Sequence, residues 1–365
     1  MGDSFAVAYS SKNEADLLPD GIAFHQRMGC DKVYMFWDET SDDGPDRVAR
    51  FSDIDARVSL SASEAMDDYA EHGGGWIPTI IHDWERNFDI RKRINFTHAA
   101  DQAAKEGIEW LLCLDADELA IPSADGTLGT GALQDMLREV PDEIDQVLMP
   151  NLEAIPTPPD DRSPFRSCRH FLRRVPVTHD LARAAGVVGR RLGLNPRQRA
   201  WLSHWVYRLR FGGRFPKPMI HPVTGQAIPR GHFLGYTNFK SMIRTSRASR
   251  FRHDVHQWDA PKGVPPPRSI KTGNLLHFAY PSADLLMRKY RQRGPGFTKF
   301  EAFHVVHQIL LIATELDDET VRSFFGSEFV IDDESLLAKY VRQGIAHRID
   351  GPAEAFEAMD NALRV

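Results

Sequence analysis

The chain has 365 residues, of which 42% are hydrophobic, 26% charged and 10% aromatic, and its net charge is −6. That composition is typical of a globular protein and excludes collagen-like, disordered and disulfide-stapled classes. No apolar run approaches the length of a membrane span: the longest candidate, Val305 to Ala313, is broken by His307 and Gln308. The opening "MGDSFAVAYSSKNE" lacks the basic start and long apolar stretch of a signal peptide, and Ala6 departs from the myristoylation pattern. Cys30, Cys113 and Cys168 are odd in number and widely spaced, so neither a disulfide framework nor a zinc site follows, and a cytoplasmic location is expected.

Taken in order, "FAVAYS" (Phe5–Ser10) predicts a first strand. A helix follows through "EADLLPDGIAFHQRMG", with Pro19 near its first turn and Gly29 at its end. "KVYMFWD" (Lys32–Asp38) predicts a second strand, "DETSDDGPD" a turn, and "RVSLS" (Arg57–Ser61) a third strand. Beyond the glycine-rich "EHGGGWIP", the stretch "NFDIRKRINFTHAADQAAKEG" has helical spacing, and "WLLCLDADEL" predicts a fourth strand. Strands alternating with helices predict an α/β fold with a doubly wound, largely parallel sheet, whose ligands bind at the carboxyl ends of the strands. Asp38 and Asp115 both fall at such ends.

In the middle of the chain, "FRSCRHFLRRV" reads as a strand. "RQRAWLSHWVYRLRF" reads as a helix with Trp201, Leu202, Trp205 and Leu209 on one broad face. Arg244, Arg247 and Arg250 would share a face if their segment were helical. "VPPP" is a rigid turn, "GNLLHFAY" a strand, and "SADLLMRKYRQRG" a helix capped by Ser282. The tail predicts further helices, including "FHVVHQILLIATEL" and "SLLAKYVRQGIAHRI".

Charge is segregated. Between Arg162 and Lys217 there are thirteen arginines and one lysine against a single acid, Asp180, a net +13 that leaves −19 for the remainder. That segment is built to face something anionic. Lys217 and neighbouring arginines could clamp a donor diphosphate or an acidic acceptor. Alternatively, "RQRAWLSHWVYRLRF" lies in a membrane interface, or it is a packed helix with solvated arginines. Nucleic-acid binding is not expected of an acidic chain without a recognition motif.

"EWLLCLDADELA" poses the chemical question: an apolar strand that ends in three carboxylates within four residues, Asp115, Asp117 and Glu118. Close carboxylates repel, and Mg²⁺ or Mn²⁺ bound at Asp117 and Asp115 would hold them while bridging a nucleotide's phosphates. A solvated acidic turn is the plainer reading. Three features favour the metal: Asn13 and Glu14 just after the first strand with Asp38 after the second, a helix carrying Arg91, Arg93 and Asn95 into the acidic strand, and His277 at a later strand end as a further metal ligand.

In order and spacing these positions resemble the GT-A-fold glycosyltransferases, in particular the family-2-like and family-92-like branch with motifs of the form NE…G…DxDE…H(Y/F)…S…K. The matching residues are Asn13, Glu14, Asp38, Ser41, Asp43, Gly44, Asp115, Asp117, Glu118, His277, Ser282 and Lys289. Two stretches depart from the pattern: the loop "DETSDDG" is one residue longer than usual, and "RKRINFTHAA" replaces a Gln followed by an Asn. The resemblance implies a Rossmann-like mixed sheet with helices on both faces, a glycosyltransferase domain over residues 1–295, and a helical extension over 296–365. It also implies a nucleotide-sugar donor (a UDP-sugar in first place) and a divalent metal at Asp115, Asp117 and His277. Donor contacts would come from Asn13, Glu14, Asp38, Arg93, Asn95, Asp115 and Lys217. The expected reaction is inverting transfer of a sugar to the hydroxyl of a glycan or lipid-linked acceptor, anionic to match the basic segment, by a protein peripheral to the inner membrane face.

Inverting transfer needs a base for the acceptor's proton. Glu153 is the first candidate, and Asp160 and Asp161 are others. The rival readings are a haloacid-dehalogenase-like phosphohydrolase using Asp115 and Asp117, and a non-catalytic protein that kept the fold. A nucleotidyltransferase would want glycines after the first strand, where "YSSKNEADL" has none.

Overall fold

The computed structural model describes residues 3–69, 78, 80–85, 87–125, 128–158, 163–172, 176–211, 217–229, 239–280, 282–293 and 305–362. The chain forms two compact units. The first comprises Met1–Asn151, Asn238–His277 and Ile349–Val365, and the second Leu152–Thr237 and Phe278–Arg348.

The first unit opens with β1 (Phe5–Ser11), buried at every position, and α1 (Leu18–Arg27), which carries Pro19 in its first turn. Then come β2 (Cys30–Trp37), α2 (Gly44–Val48), β3 (Ile54–Val58) and α3 (Ala62–Tyr69). The long α4 (Phe88–Lys105) starts at Asn87, whose side chain accepts from the Asp89 N–H. It is followed by β4 (Trp110–Leu114), β5 (Glu118–Ile121) and α5 (Ala132–Arg138), and β6 (Gln146–Ala154) carries the chain into the second unit.

There the chain forms α6 (Pro164–Ser167), β7 (His170–Leu172), α7 (Pro176–Arg191), α8 (Pro196–Phe211), β8 (Met219–Ile220) and β9 (Ala227–Ile228). Back in the first unit are β10 (Phe239–Arg244), α9 (Thr245–Ala248), β11 (Arg252–Asp254), β12 (Gln257–Asp259), β13 (Ser269–Lys271) and β14 (Asn274–His277). The second unit then adds α10 (Ala283–Arg293), α11 (Val305–Glu315), α12 (Asp318–Glu328), α13 (Glu334–Arg342) and β15 (Ala346–Arg348), and α14 (Gly351–Ala362) returns to the first.

In the first unit β3, β2, β1 and β4 lie side by side and parallel, while β10 runs antiparallel to both β4 and β6. The fold is therefore α/β with a mixed sheet. Because side chains alternate along a strand, β1 serves two helices. Ala6 and Ala8 pack with Phe96, Ala99, Ala100 and Ala103 of α4, and Tyr9 meets His25 of α1. Small residues on the α4 side let the helix lie close to the strands, and both central strands are apolar because both faces are covered. β14 pairs antiparallel with β5, which sets His277 opposite Glu118.

In the second unit the end of β6 pairs with β7 (Glu153 opposite Leu172), and β7 pairs with β15. Helices α10, α11 and α12 bury Leu286, Tyr290, Ile309, Ile312, Phe324 and Phe325 around Met219 and Ile228.

Several sequence expectations shift. The third strand lies three residues earlier than "RVSLS". "WLLCLDADEL" is two strands with a turn between them, because Asp115 and Asp117 leave the ladder. "FRSCRHFLRRV" contains a short helix and only a three-residue strand among its described residues. "GIAHRI" holds β15 rather than a helix end. Arg244, Arg247 and Arg250 form no helical face: Arg244 ends β10, stacks on Trp110 at 4.2 Å and pairs with Glu109, and Arg247 pairs with Asp145 at 2.9 Å.

Candidate functional site

The acidic turn between β4 and β5 sits at the carboxyl end of the central parallel strands, where α/β folds take their ligands. Its carboxylates are answered from within the protein. Lys92 of α4 pairs with one oxygen of Asp115, and Lys240 of β10 reaches the other at 2.9 Å. The Lys240 ammonium also lies 3.4 Å from Glu118 and donates to the Val255 carbonyl at 3.3 Å. Glu118 in turn accepts the Asp115 backbone N–H at 2.8 Å. Both lysines are buried, and burial, with Lys240 close by, pulls the Lys92 ammonium down to about 7. Burial raises the Glu118 carboxyl, while Lys240 works against that rise.

Asp117 meets a histidine. Its carboxylate lies 3.8 Å from Nε2 of His277, and both residues are buried. The pairing of β14 with β5 makes this encounter possible. Nearby, His25 steadies β5: the Ala120 N–H donates to its Nε2 at 3.1 Å. The ring proton is therefore on Nδ1, 2.7 Å from the Gly21 carbonyl and 3.0 Å from the Tyr9 hydroxyl.

The loops after β1 and β2 are laced together. Asn13, at φ +55°, accepts from the Ser41 N–H at 2.6 Å and the Asp42 N–H at 3.2 Å. Asparagine tolerates that left-handed backbone better than most residues. Asp42 accepts from the Ala15 and Gly44 N–H groups, and Glu14 accepts from the Ser11 hydroxyl at 3.1 Å.

Asp38 lies at the end of β2 as expected, but both its oxygens are taken by Arg91, at 2.8 and 2.9 Å, in a buried fork. Arg91 also donates to the Trp84 carbonyl at 2.7 Å. Asn95 is fully buried and ties α4 to the sheet: it accepts from the Leu60 N–H and donates to Ser10 and Ser59. Arg93 turns away, donating to the His253 carbonyl of β11 at 2.8 Å.

These surroundings bear on a divalent metal. Each Asp115 oxygen already has a lysine ammonium as a partner. Among the described residues no group of three or more His, Cys, Asp or Glu side chains is placed to hold an ion. Asp117 and His277 set one oxygen and one nitrogen donor 3.8 Å apart. Such a pair suits a cation that takes its other ligands from substrate phosphates and water, the usual habit of Mg²⁺ in phosphate sites.

Glu153 and Lys217 belong to the second unit, Glu153 half-buried in β6 and Lys217 exposed before β8. Asp160 and Asp161 lie outside the described residues. Sequence reading singled out the helix carrying Arg91 but missed Lys92 and Lys240. Lys92 stands in "RKR" on that helix, and Lys240 is a lone lysine in the apolar run "FKSMI".

No protein-family model matches the chain. In sequence it is similar to two Arabidopsis thaliana proteins described as glycosyltransferase-like, each at 22% identity. One match spans 93% of this chain and 69% of that protein, the other 75% and 46%. The chain thus spans about two thirds of the length of the first relative and under half of the second. This similarity supports a glycosyltransferase at a coarse level. Among solved structures, glucosyl-3-phosphoglycerate synthase from Mycobacterium tuberculosis, in complex with Mn²⁺, UDP and phosphoglyceric acid, matches 68% of this chain and 58% of its own at 9% identity and a TM-score of 0.28. A mycobacterial protein matches 87% and 76% at 11% identity and a TM-score of 0.30. At scores this low, neither likeness bears on the site.

Proposed function

We propose that the chain is a glycosyltransferase whose nucleotide-sugar donor lays its diphosphate against the β4–β5 turn. The observation that carries this reading is the meeting of Asp117 and His277 at 3.8 Å beside an Asp115 already paired with lysines. Similarity to glycosyltransferase-like proteins over 93% of the chain supports it. Asp117 and His277 would hold Mn²⁺ or Mg²⁺, and a bound divalent ion would supply Lewis-acid stabilisation for the departing diphosphate.

The chain's own residues do the rest. Lys240, and Lys92 where it carries its proton, offset part of the carboxylate charge that would otherwise repel a diphosphate. Asn13 and Asp42 hold the loops after β1 and β2 in one arrangement, a fixed bed for the nucleoside, and Glu14 belongs to the same bed. Arg91 holds both oxygens of Asp38 in a buried fork, so Asp38 shapes that bed rather than reaching for the base.

On sequence grounds Glu153 is the proposed base, taking the acceptor hydroxyl's proton at a carboxylate oxygen in an inverting transfer. Lys217 is the proposed cation for an anionic glycan or lipid-linked acceptor. A UDP-sugar is the first donor to try.

The test is release of nucleoside diphosphate from UDP- and GDP-sugars with and without Mn²⁺. We expect metal-dependent release, reduced about a hundredfold in Asp117→Asn. Failure of every sugar nucleotide to react, in protein shown to be folded, would overturn the proposal.

A further inference from the structure

The second unit carries a helical hairpin that the proposed transfer chemistry leaves without a task. Helix α8 begins with a reciprocal cap: the Gln198 N–H donates to the Asn195 side chain and the Asn195 N–H to the Gln198 side chain, both at 2.9 Å. Helix α7 lies close to it at Gly189, where a Cβ would sit 3.1 Å from Leu194 and 3.3 Å from Arg199. The inner sides of both helices are thus spent on each other and on the unit's core, to which Ala200 contributes.

The outer sides stay apolar. Leu181 and Val188 on α7 and Leu192 in the turn that continues it recur at spacings of seven and four, which keeps them on one stripe, and they are 57%, 53% and 73% exposed. On α8, Trp205 and Leu209, four residues apart, are 51% and 81% exposed. These are two of the four residues that the sequence singles out; Trp201 and Leu202 are half-buried, Leu202 on the side of Gly189 of α7. Basic groups border the exposed residues: Arg190, Arg191 and Arg197 are exposed, and the Arg208 guanidinium lies 5.1 Å from the Trp205 ring centre. From Pro176 to Phe211 there are seven arginines and one acid.

Apolar stripes bordered by arginine, with a tryptophan–arginine pair, are what an anionic bilayer surface selects. Two copies of the chain meeting here would bring like charges together, and a nucleic acid would leave leucines unburied. No helix among the described residues is long and apolar enough to cross a membrane. We propose that the α7–α8 hairpin docks on the surface of an anionic phospholipid bilayer, burying Leu181, Val188, Leu192, Trp205 and Leu209 among the headgroups. This inference does not rest on the donor-site reading.

The test is flotation of the full chain with vesicles of phosphatidylcholine, alone or mixed in equal parts with phosphatidylglycerol, at low and high salt. We expect binding only to the mixed vesicles, weakened by salt. The double variant Val188→Glu/Leu192→Glu should abolish it, and Arg190→Gln/Arg191→Gln should weaken it by roughly tenfold or more. All four positions are exposed, so folding should be kept, as circular dichroism will verify; should the first variant fail to fold, Leu209→Asp on α8 takes its place. Absence of binding to the mixed vesicles, or binding unchanged in the folded variants, would overturn the proposal. So would a dimer in light scattering that the same variants dissociate, which would make this face a contact between copies.

Discussion

The decisive residues are two lysines. A carboxylate beside two other carboxylates, largely out of water, needs a positive partner, and Lys92 and Lys240 supply it to Asp115 at the cost of their own burial. Removing one partner of such a cluster strands the rest. Lys240→Met is expected to cost about 3–5 kcal/mol in urea unfolding. Adding Asp115→Asn should recover part of that loss, because the stranded charge is then gone. Equal losses in the single and double variants would contradict a functioning ion cluster.

The acidic half of this site was legible in the sequence, because an apolar strand that ends in carboxylates is a local pattern. The basic half was not: Lys92 lies 23 residues before Asp115, and Lys240 lies 125 residues after it. Only the pairing of β10 with β4 brings the latter in.

At the scale of elements, the site depends on β5 and β14 keeping their register. Gly273 stands just before β14 at φ +68°, and a Cβ there would meet the Ile121 carbonyl at 3.0 Å and the Met149 side chain at 2.7 Å. Gly273→Ala therefore meets both a left-handed backbone and a crowded one, and is expected to cost about 1–3 kcal/mol in urea unfolding. If it destabilises nothing, β14 is not held as described.

On its other side β5 is tied to α1 by His25. Burial lowers that imidazole to about 4, against 6.5 for a free one. The folded chain thus holds His25 neutral while the unfolded chain protonates it. Its contribution is complete above pH 6.5 and is lost as pH falls from 6.5 towards 4. Fully buried, it should account for about 3 kcal/mol of that decline. In His25→Gln the unfolding free energy should fall less steeply across the window, and an unchanged slope would contradict this assignment.

The first four strands and the helices α1 and α4 could be read from the sequence because each has its own periodicity. The strands β10 and β15 could not. Their residues, "FKSMIR" and "AHR", carry charge and little alternation, and they are strands because partners exist elsewhere in the chain. Arg244 at the end of β10 and Arg247 after it mimic helical spacing, yet they serve Glu109 and Asp145 individually.

For the whole molecule, the main organising fact is that the chain leaves the first unit and comes back. Helix α14, the last described element, packs on α1, with Phe356 and Phe24 ring centres 5.8 Å apart. Phe356→Ala should lower the stability of the first unit by about 3–5 kcal/mol, read by urea unfolding. No loss would mean that α14 is dispensable. The charge segregation seen in the sequence also has a physical reading at this scale. The basic excess includes the α7–α8 hairpin of the second unit, whereas the proposed donor site lies wholly in the first.

The most direct test of the donor-site account is calorimetric titration of UDP, GDP and CDP into the protein with and without Mn²⁺, repeated on Asp117→Asn and Asp115→Asn. We expect one nucleotide to bind far more tightly with metal, that gain to vanish in Asp117→Asn, and to persist in Asp115→Asn, whose carboxylate the lysines already occupy. Binding indifferent to metal in the unmodified chain, or a gain erased as completely by Asp115→Asn as by Asp117→Asn, would contradict it.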